Sequence, residues 1–277
     1  MTATTGTQSG TQGAWAKAET AENYGSRLVP LLFEPWAEAL VDAVGPRPGE
    51  RVLDLACGTG VVAHKAATRV RPGGAVTGVD LNADMLALAR RSTPADDGVS
   101  VAWRQADALD TGLPDGAFDI GFCQQGLQFF GDRVTALREL RRVLAPGGRV
   151  ALSVWCDVRS PGFHPFEAAF ERVLPAPGQA VRFLRAIFDL ADPDELRRLL
   201  TAAGFRNVEV SRQTRTVRCA SAHEWVEAFL GAAPLPAMAT PDRDRIASEV
   251  AEELTPCVAN GLAFPVAANV ALAERGA

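Results

Sequence analysis

A doubly wound α/β fold is predicted for this 277-residue chain. Two observations carry the prediction. Short apolar segments alternate with amphipathic stretches from Val52 to Trp155, the rhythm of a parallel sheet buried on both faces. Glycine-rich turns, Gly58-Thr59-Gly60 and Pro146-Gly147-Gly148, flank the first and fifth of the apolar segments. The length and a hydrophobic content of 47% suit one substantial core, and no internal repeat is present. We read residues 14–277 as a single domain that follows a disordered tail of small polar residues at 1–13.

Ala14 to Val44 reads as a helical segment, with Leu28, Leu31, Leu32, Trp36, Leu40 and Val41 at one-face spacing. Pro30 and Pro35 are expected to divide it into two pieces, since an interior proline lacks the backbone donor. Val52–Ala56 is the first strand, and Val61–Val70 the helix after it. The second strand is Ala75–Asp80, followed by a helix from about Asn82 to Arg91. Val99–Gln105 and Ile120–Cys123 are strands three and four. A helix from about Arg133 to Leu144 leads to the fifth strand, Arg149–Trp155, and right-handed crossovers make the sheet doubly wound. The rhythm then changes. Residues 161–188 are helical and broken by Pro175 and Pro177. Asp192–Ala203 is a helix with Pro193 in its first turn. Phe205–Val217 is a long strand, Ala220–Asn260 one or two helices broken around Pro234–Pro241, and Phe264–Ala273 the last strand. Segments 157–190 and 220–260 are helical insertions that cap one edge of the sheet.

With 28 Lys+Arg against 33 Asp+Glu, the formal net charge of −5 speaks against a nucleic-acid or anionic-lipid partner. Five scattered cysteines without a C-x-x-C pair signal neither disulfides nor a metal site and suit a reducing cytoplasm. The start has no secretory pattern, and no apolar stretch is long enough to span a bilayer.

The chemistry lies in VLDLACGTG, residues 52–60. Gly58, Gly60 and Ala63 satisfy G-x-G-x-x-A, a spacing that exposes a helix N-terminus to a ligand without choosing the ligand. Asp54 is more informative. It lies in a strand that should be buried, where a carboxylate is costly unless paired. A negative charge beneath a pyrophosphate would be counterproductive, whereas a ligand with an ammonium or sulfonium group would welcome it.

On these residues VLDLACGTG resembles motif I of the class I S-adenosylmethionine-dependent methyltransferases, with Ala56 where the family usually has glycine. GVDLNADML, RQADALD, LPDGAFDIGFCQQGLQFF and LRELRRVLAPGGRVALSVW follow in the family's order. The resemblance implies a Rossmann-like, seven-stranded sheet, mostly parallel with the last strand antiparallel, and S-adenosylmethionine as cofactor. It places Asp54, Ala56, Cys57, Gly58 and Gly60 around the cofactor, Asp80 on the ribose hydroxyls with Leu81 beside it, Met85 against adenine, and Asp107 and Ala108 at the adenine amino group. Cys123 and Gln124 follow at the fourth strand. Residues 14–44 resemble a helical lid, in which Tyr24 either closes over the cofactor or packs within the helix.

Around the acceptor, Gln125, Gln128, Phe129, Phe163 and Phe166 are candidates for substrate contact. The glutamines either orient a polar group or close the following helix. His164 is the candidate general base, with an ordinary loop histidine as the competing reading. No metal is signalled. The (N/D/S)-P-P-(Y/F) motif of nucleobase-amine methyltransferases is replaced by Cys123-Gln124-Gln125-Gly126. The expected activity is methyl transfer to a carbon or oxygen of a small, largely apolar, quinone- or polyketide-like metabolite, by a monomer or homodimer. Three readings compete with it: a non-methylating enzyme that uses the sulfonium for cyclisation or decarboxylation, an NAD(P)-dependent oxidoreductase, and a non-catalytic regulatory module.

Overall fold

The computed structural model describes residues 18–93, 99–257 and 261–277. The tail at 1–13, the start of the lid at 14–17 and the last three residues of the second cap insertion therefore lie outside the described residues. Seven strands form one sheet in the order β3-β2-β1-β4-β5-β7-β6: β1 Arg51–Leu55, β2 Ala75–Asp80, β3 Ser100–Gln105, β4 Phe118–Gln124, β5 Leu144–Trp155, β6 Phe205–Cys219 and β7 Leu262–Arg275. The pairs β1–β2, β2–β3, β1–β4 and β4–β5 are parallel, and β7 runs antiparallel to both β5 and β6.

Alternate residues of the central strands feed two apolar layers, as a sheet covered on both faces requires. Val52 of β1 packs with Trp36, Val62 and Phe122 on one face, while Leu53 and Leu55 join Leu137, Leu152 and Leu196 on the other. The connecting helices in chain order are α1 Ala18–Asn23, α2 Glu34–Val44, α3 Val61–Arg69, α4 Ala83–Ser92, α5 Arg133–Val143, α6 His164–Val173, α7 Gly178–Ile187, α8 Pro193–Ala202, α9 Ala222–Ala232 and α10 Thr240–Leu254.

Two expectations need correction. The prolines do not split the lid into two pieces. Between α1 and α2, Tyr24–Phe33 continues as a π-type helix with Pro30 inside it. The wider winding changes the hydrogen-bonding pattern, so a missing donor is absorbed without a break. Pro35 is the second residue of α2, at the junction with the π-type segment, and the helix runs on through it. The fifth strand begins five residues early, at Leu144, which pairs with Phe118 before the register shifts across the Pro146-Gly147-Gly148 hook.

Chain order reverses between β1 and β4, which are neighbours in the sheet, so the carboxyl ends of β1 and β4 open a crevice. The lid closes one side of it, and α7 and α9 close another.

Candidate functional site

The crevice is a cavity of about 640 Å³. Its floor is the turn after β1. Ala56 there adopts a left-handed backbone (φ +57°), a conformation that glycine takes without cost and alanine does not. Gly58 lines the cavity beneath the Tyr24 ring. Gly60 opens α3 (φ +86°) and does not reach the cavity. A Cβ on it would stand 2.4 Å from the Trp103 ring, so this glycine serves the packing of strand and helix.

Asp54 is 1% exposed and lies behind the lining. Its Oδ2 accepts from the Ala63 N–H at 3.0 Å, at the start of α3, and its Oδ1 has no hydrogen-bond partner among the described residues. Burial pushes its pKa up to about 8; the bond from Ala63 counteracts this and the nearby Asp80 adds to it. Half of the carboxylate thus caps a helix, and the other half is an orphaned acceptor.

Asp80 lines the cavity and accepts from backbone donors that include Gly58 N–H to Oδ2 and Asn82 N–H to Oδ1, both 2.8 Å, with Leu81 N–H beside them. Burial raises its pKa, against those bonds. The capping of α4 falls to Asn82, whose side chain accepts from Asp84 and Met85. Asp80 is therefore free of that task, and its carboxylate keeps acceptor capacity for a ligand. Leu81, Met85, Asp107 and Ala108 line the same end of the cavity. Asp107 accepts from Leu109 N–H at 2.9 Å, which folds its loop.

The other end is apolar. Leu28, Leu32, Phe33, Phe129, Trp155, Phe163, Phe183, Ile187 and Phe229 wall it, and of these Phe129 and Phe163 are the acceptor candidates offered by the sequence. Phe129 of the turn after β4 stacks parallel to Phe183 of α7 at 6.1 Å, an interplanar angle of 7°. Three carboxamides are the polar part of this wall. Gln124 Nε2 donates to the Phe33 carbonyl at 3.0 Å and ties β4 to the lid. Gln125, left-handed at φ +56°, reaches Ser153 Oγ, and Gln128 reaches Gln125 Oε1, both at 3.4 Å.

The structure does not bring every candidate to the cavity. His164 is the exposed first residue of α6 and lies outside the lining, so the general-base role does not fit its place. Phe166 is fully buried against Phe229 (ring centroids 4.4 Å apart) and Phe170; one side of α6 faces the aromatic core, and Phe163 alone of the pair reaches the cavity. Cys57 and Cys123 are buried beneath the floor. Burial pushes both thiols up, Cys123 to about 12, which keeps them protonated.

Among the described residues no group of three or more His, Cys, Asp or Glu is placed to hold a metal, and no helix is long and apolar enough to cross a membrane.

Known proteins resemble this chain in sequence and in fold. A demethylmenaquinone methyltransferase of Thermus thermophilus is 38% identical over 179 residues, 61% of this chain and 80% of that protein. The nocamycin O-methyltransferase of Saccharothrix syringae is 37% identical over 123 residues, 44% of each chain. The fold matches phosphoethanolamine N-methyltransferase 2 of Haemonchus contortus, solved in complex with S-adenosyl-L-methionine. That match has a TM-score of 0.59 and 21% identity, and it covers 98% of this chain and 58% of the other. Residues 31–224, more than half of the chain, match the ubiE/COQ5 methyltransferase family; the chain belongs to that family and is an S-adenosylmethionine-dependent methyltransferase.

Proposed function

We propose that the enzyme methylates a carbon or oxygen of a small, largely apolar metabolite, quinone- or polyketide-like. The carrying observation is a single cavity with two chemically distinct ends, carboxylates at one and aromatic rings at the other. When bound, S-adenosylmethionine supplies an electrophilic methyl on a cationic sulfur. Tyr24, Ala56, Gly58, Asp80, Leu81, Met85, Asp107, Ala108 and Gln124 are the residues we assign to holding it, with Asp54 behind them. The fit rests on Asp54, whose unpartnered Oδ1 suits a cation or a water bound to one.

Phe129 and Phe163, with Gln125 and Gln128, are assigned to the acceptor. Their work is to exclude water and to align the acceptor with the methyl, which is most of what such a displacement asks of a protein. The demethylmenaquinone and nocamycin methyltransferases, whose names state acceptors of this kind, support the reading. We assign residues 14–277 to one domain, with a lid at 14–44 and caps at 157–190 and 220–260, acting as a monomer or homodimer in a reducing cytoplasm where its cysteines stay free.

The test is incubation with labelled S-adenosylmethionine and reduced naphthoquinones or polyketide phenols. Label in the organic product with matching S-adenosylhomocysteine is expected. Conversion of an acceptor without S-adenosylhomocysteine would overturn the reading in favour of non-methylating chemistry.

A further inference from the structure

Among the described residues, the acceptor end of the cavity contains dipoles and rings but no proton sink. Its polar side chains are the carboxamides of Gln124, Gln125 and Gln128, which stay neutral at every working pH. The carboxyl groups of the described lining are Asp80 and Asp107, which follow β2 and β3, and Asp84 in the first turn of α4. Tyr24 stands between the two ends. Burial, followed by the fields of Asp80 and Asp54, pushes its phenol well above the usual range, so it remains protonated. His164, the one histidine near this part of the chain, is on the outer surface.

From this wall, and resting on the methyltransferase reading above, we infer that the acceptor enters as an anion that has already lost its proton in solution: a carboxylate, an enolate of a 1,3-dicarbonyl, or an acidic phenolate. The described lining supplies carboxyl groups and no Lys or Arg, so the positive charge that holds the anion has to be the cofactor's. An anion in an apolar pocket is costly unless a positive charge lies beside it. The aromatic wall of Phe129, Phe163, Phe183 and Phe229 excludes water, which strengthens the attraction between an anionic acceptor and a cationic sulfur. The acceptor's electron pair forms the new bond to the methyl carbon while the carbon–sulfur bond breaks toward sulfur. One positive and one negative charge cancel; at a carboxylate or phenolate oxygen, or at the central carbon of an enolate, no proton has to leave. Carboxamide N–H groups orient an oxyanion without competing for it as a base would.

The test is a binding cycle on the wild-type protein, read by calorimetry. The protein is saturated with sinefungin, which carries an ammonium in place of the sulfonium, or with S-adenosylhomocysteine, which is neutral there. Each complex is titrated with 1-naphthoate and with 1-naphthamide, its uncharged counterpart. Naphthoate is expected to bind about tenfold or more tightly to the sinefungin complex than to the S-adenosylhomocysteine complex. Naphthamide is expected to show no such preference. Equal preferences for the two probes, or no binding of naphthoate to the sinefungin complex, overturn the inference and leave the methyltransferase reading standing. Failure of both nucleosides to bind, seen before any naphthalene is added, overturns the cofactor assignment and this inference with it.

Discussion

Replacing Asp54 by asparagine should make the ligand-free protein more stable at pH 8 and its cofactor complex weaker. Native Asp54 has a pKa of about 8 against an ordinary value of 3.8. The folded protein therefore retains a proton there that the unfolded chain has lost. A raised carboxyl pKa gives stability that is full below about pH 4 and is lost as pH rises toward 8. The slope is at most about 1.4 kcal/mol per pH unit, so the ceiling between pH 5 and 8 is about 4 kcal/mol. Relaxation of the site reduces this. We expect about half, roughly 2 kcal/mol, or about 4–8 °C in Tm for a chain of this size.

In the Asp54→Asn variant the carboxamide oxygen still accepts the Ala63 N–H, and an uncharged NH2 stands where Oδ1 stood. Thermal unfolding of wild type and Asp54→Asn at half-unit steps from pH 5 to 8 is the assay. The two curves should lie closest near pH 5 and diverge toward pH 8, with the variant higher. S-adenosylmethionine affinity of the wild type should rise with pH toward 8, as the ionised form that attracts a cation is populated, while the variant binds about tenfold or more weakly at pH 8. Parallel Tm curves would show that Asp54 carries no unusual proton. An unchanged affinity would show that its orphaned oxygen does not serve the ligand.

Two further outcomes follow from the frame of the site. Gly60→Ala combines a positive φ with a Cβ 2.4 Å from Trp103, so a loss of about 2–4 kcal/mol in denaturant unfolding is expected; a shift within error would show that Trp103 moves aside freely. Glu139, 9% exposed, accepts from Thr111 N–H (2.9 Å), Thr111 Oγ1 (2.6 Å) and both Nε and Nη2 of Arg142 (2.7 Å each). Arg142 first, then Thr111, hold its pKa down at about 2 against an ordinary 4.5. Its contribution is present above about pH 4.5 and fades as pH falls to about 2, so Glu139→Gln should cost about 2 kcal/mol at pH 7, with the deficit shrinking in acid; a deficit independent of pH would refute the charge-based account.

What could be read from sequence divides along a physical line. Strands β1, β2 and β4 and the turn after β1 were legible because the cause is local: an apolar run buried on both faces, then small residues that permit Ala56, Gly58 and Gly60 to take positive φ. The lid winding and the Leu144 start of β5 were not, because packing against distant residues decides them. Phe33 and Trp36 settle on Trp155, about 120 residues away in the chain, and that contact, with Gln124 donating to Phe33, holds the wide-wound segment in place. The acceptor wall was half legible for the same reason. Helical spacing marks Phe163 and Phe166 alike as apolar, both rings meet Phe229 of α9, and only the tertiary packing leaves Phe163 bordering the cavity while Phe166 is core.

Asp54 shows both sides of that line. Its burial could be deduced from the strand, and with it the need for a partner. That the partner of one oxygen is the Ala63 amide, nine residues on, depends on how the turn brings α3 back under β1. The inference from buried charge to cationic ligand therefore rests on one oxygen atom rather than on the whole carboxylate. This is why the asparagine variant, which leaves the Ala63 bond in place and changes the other position, is the substitution that separates the structural half of the residue from the ligand-binding half.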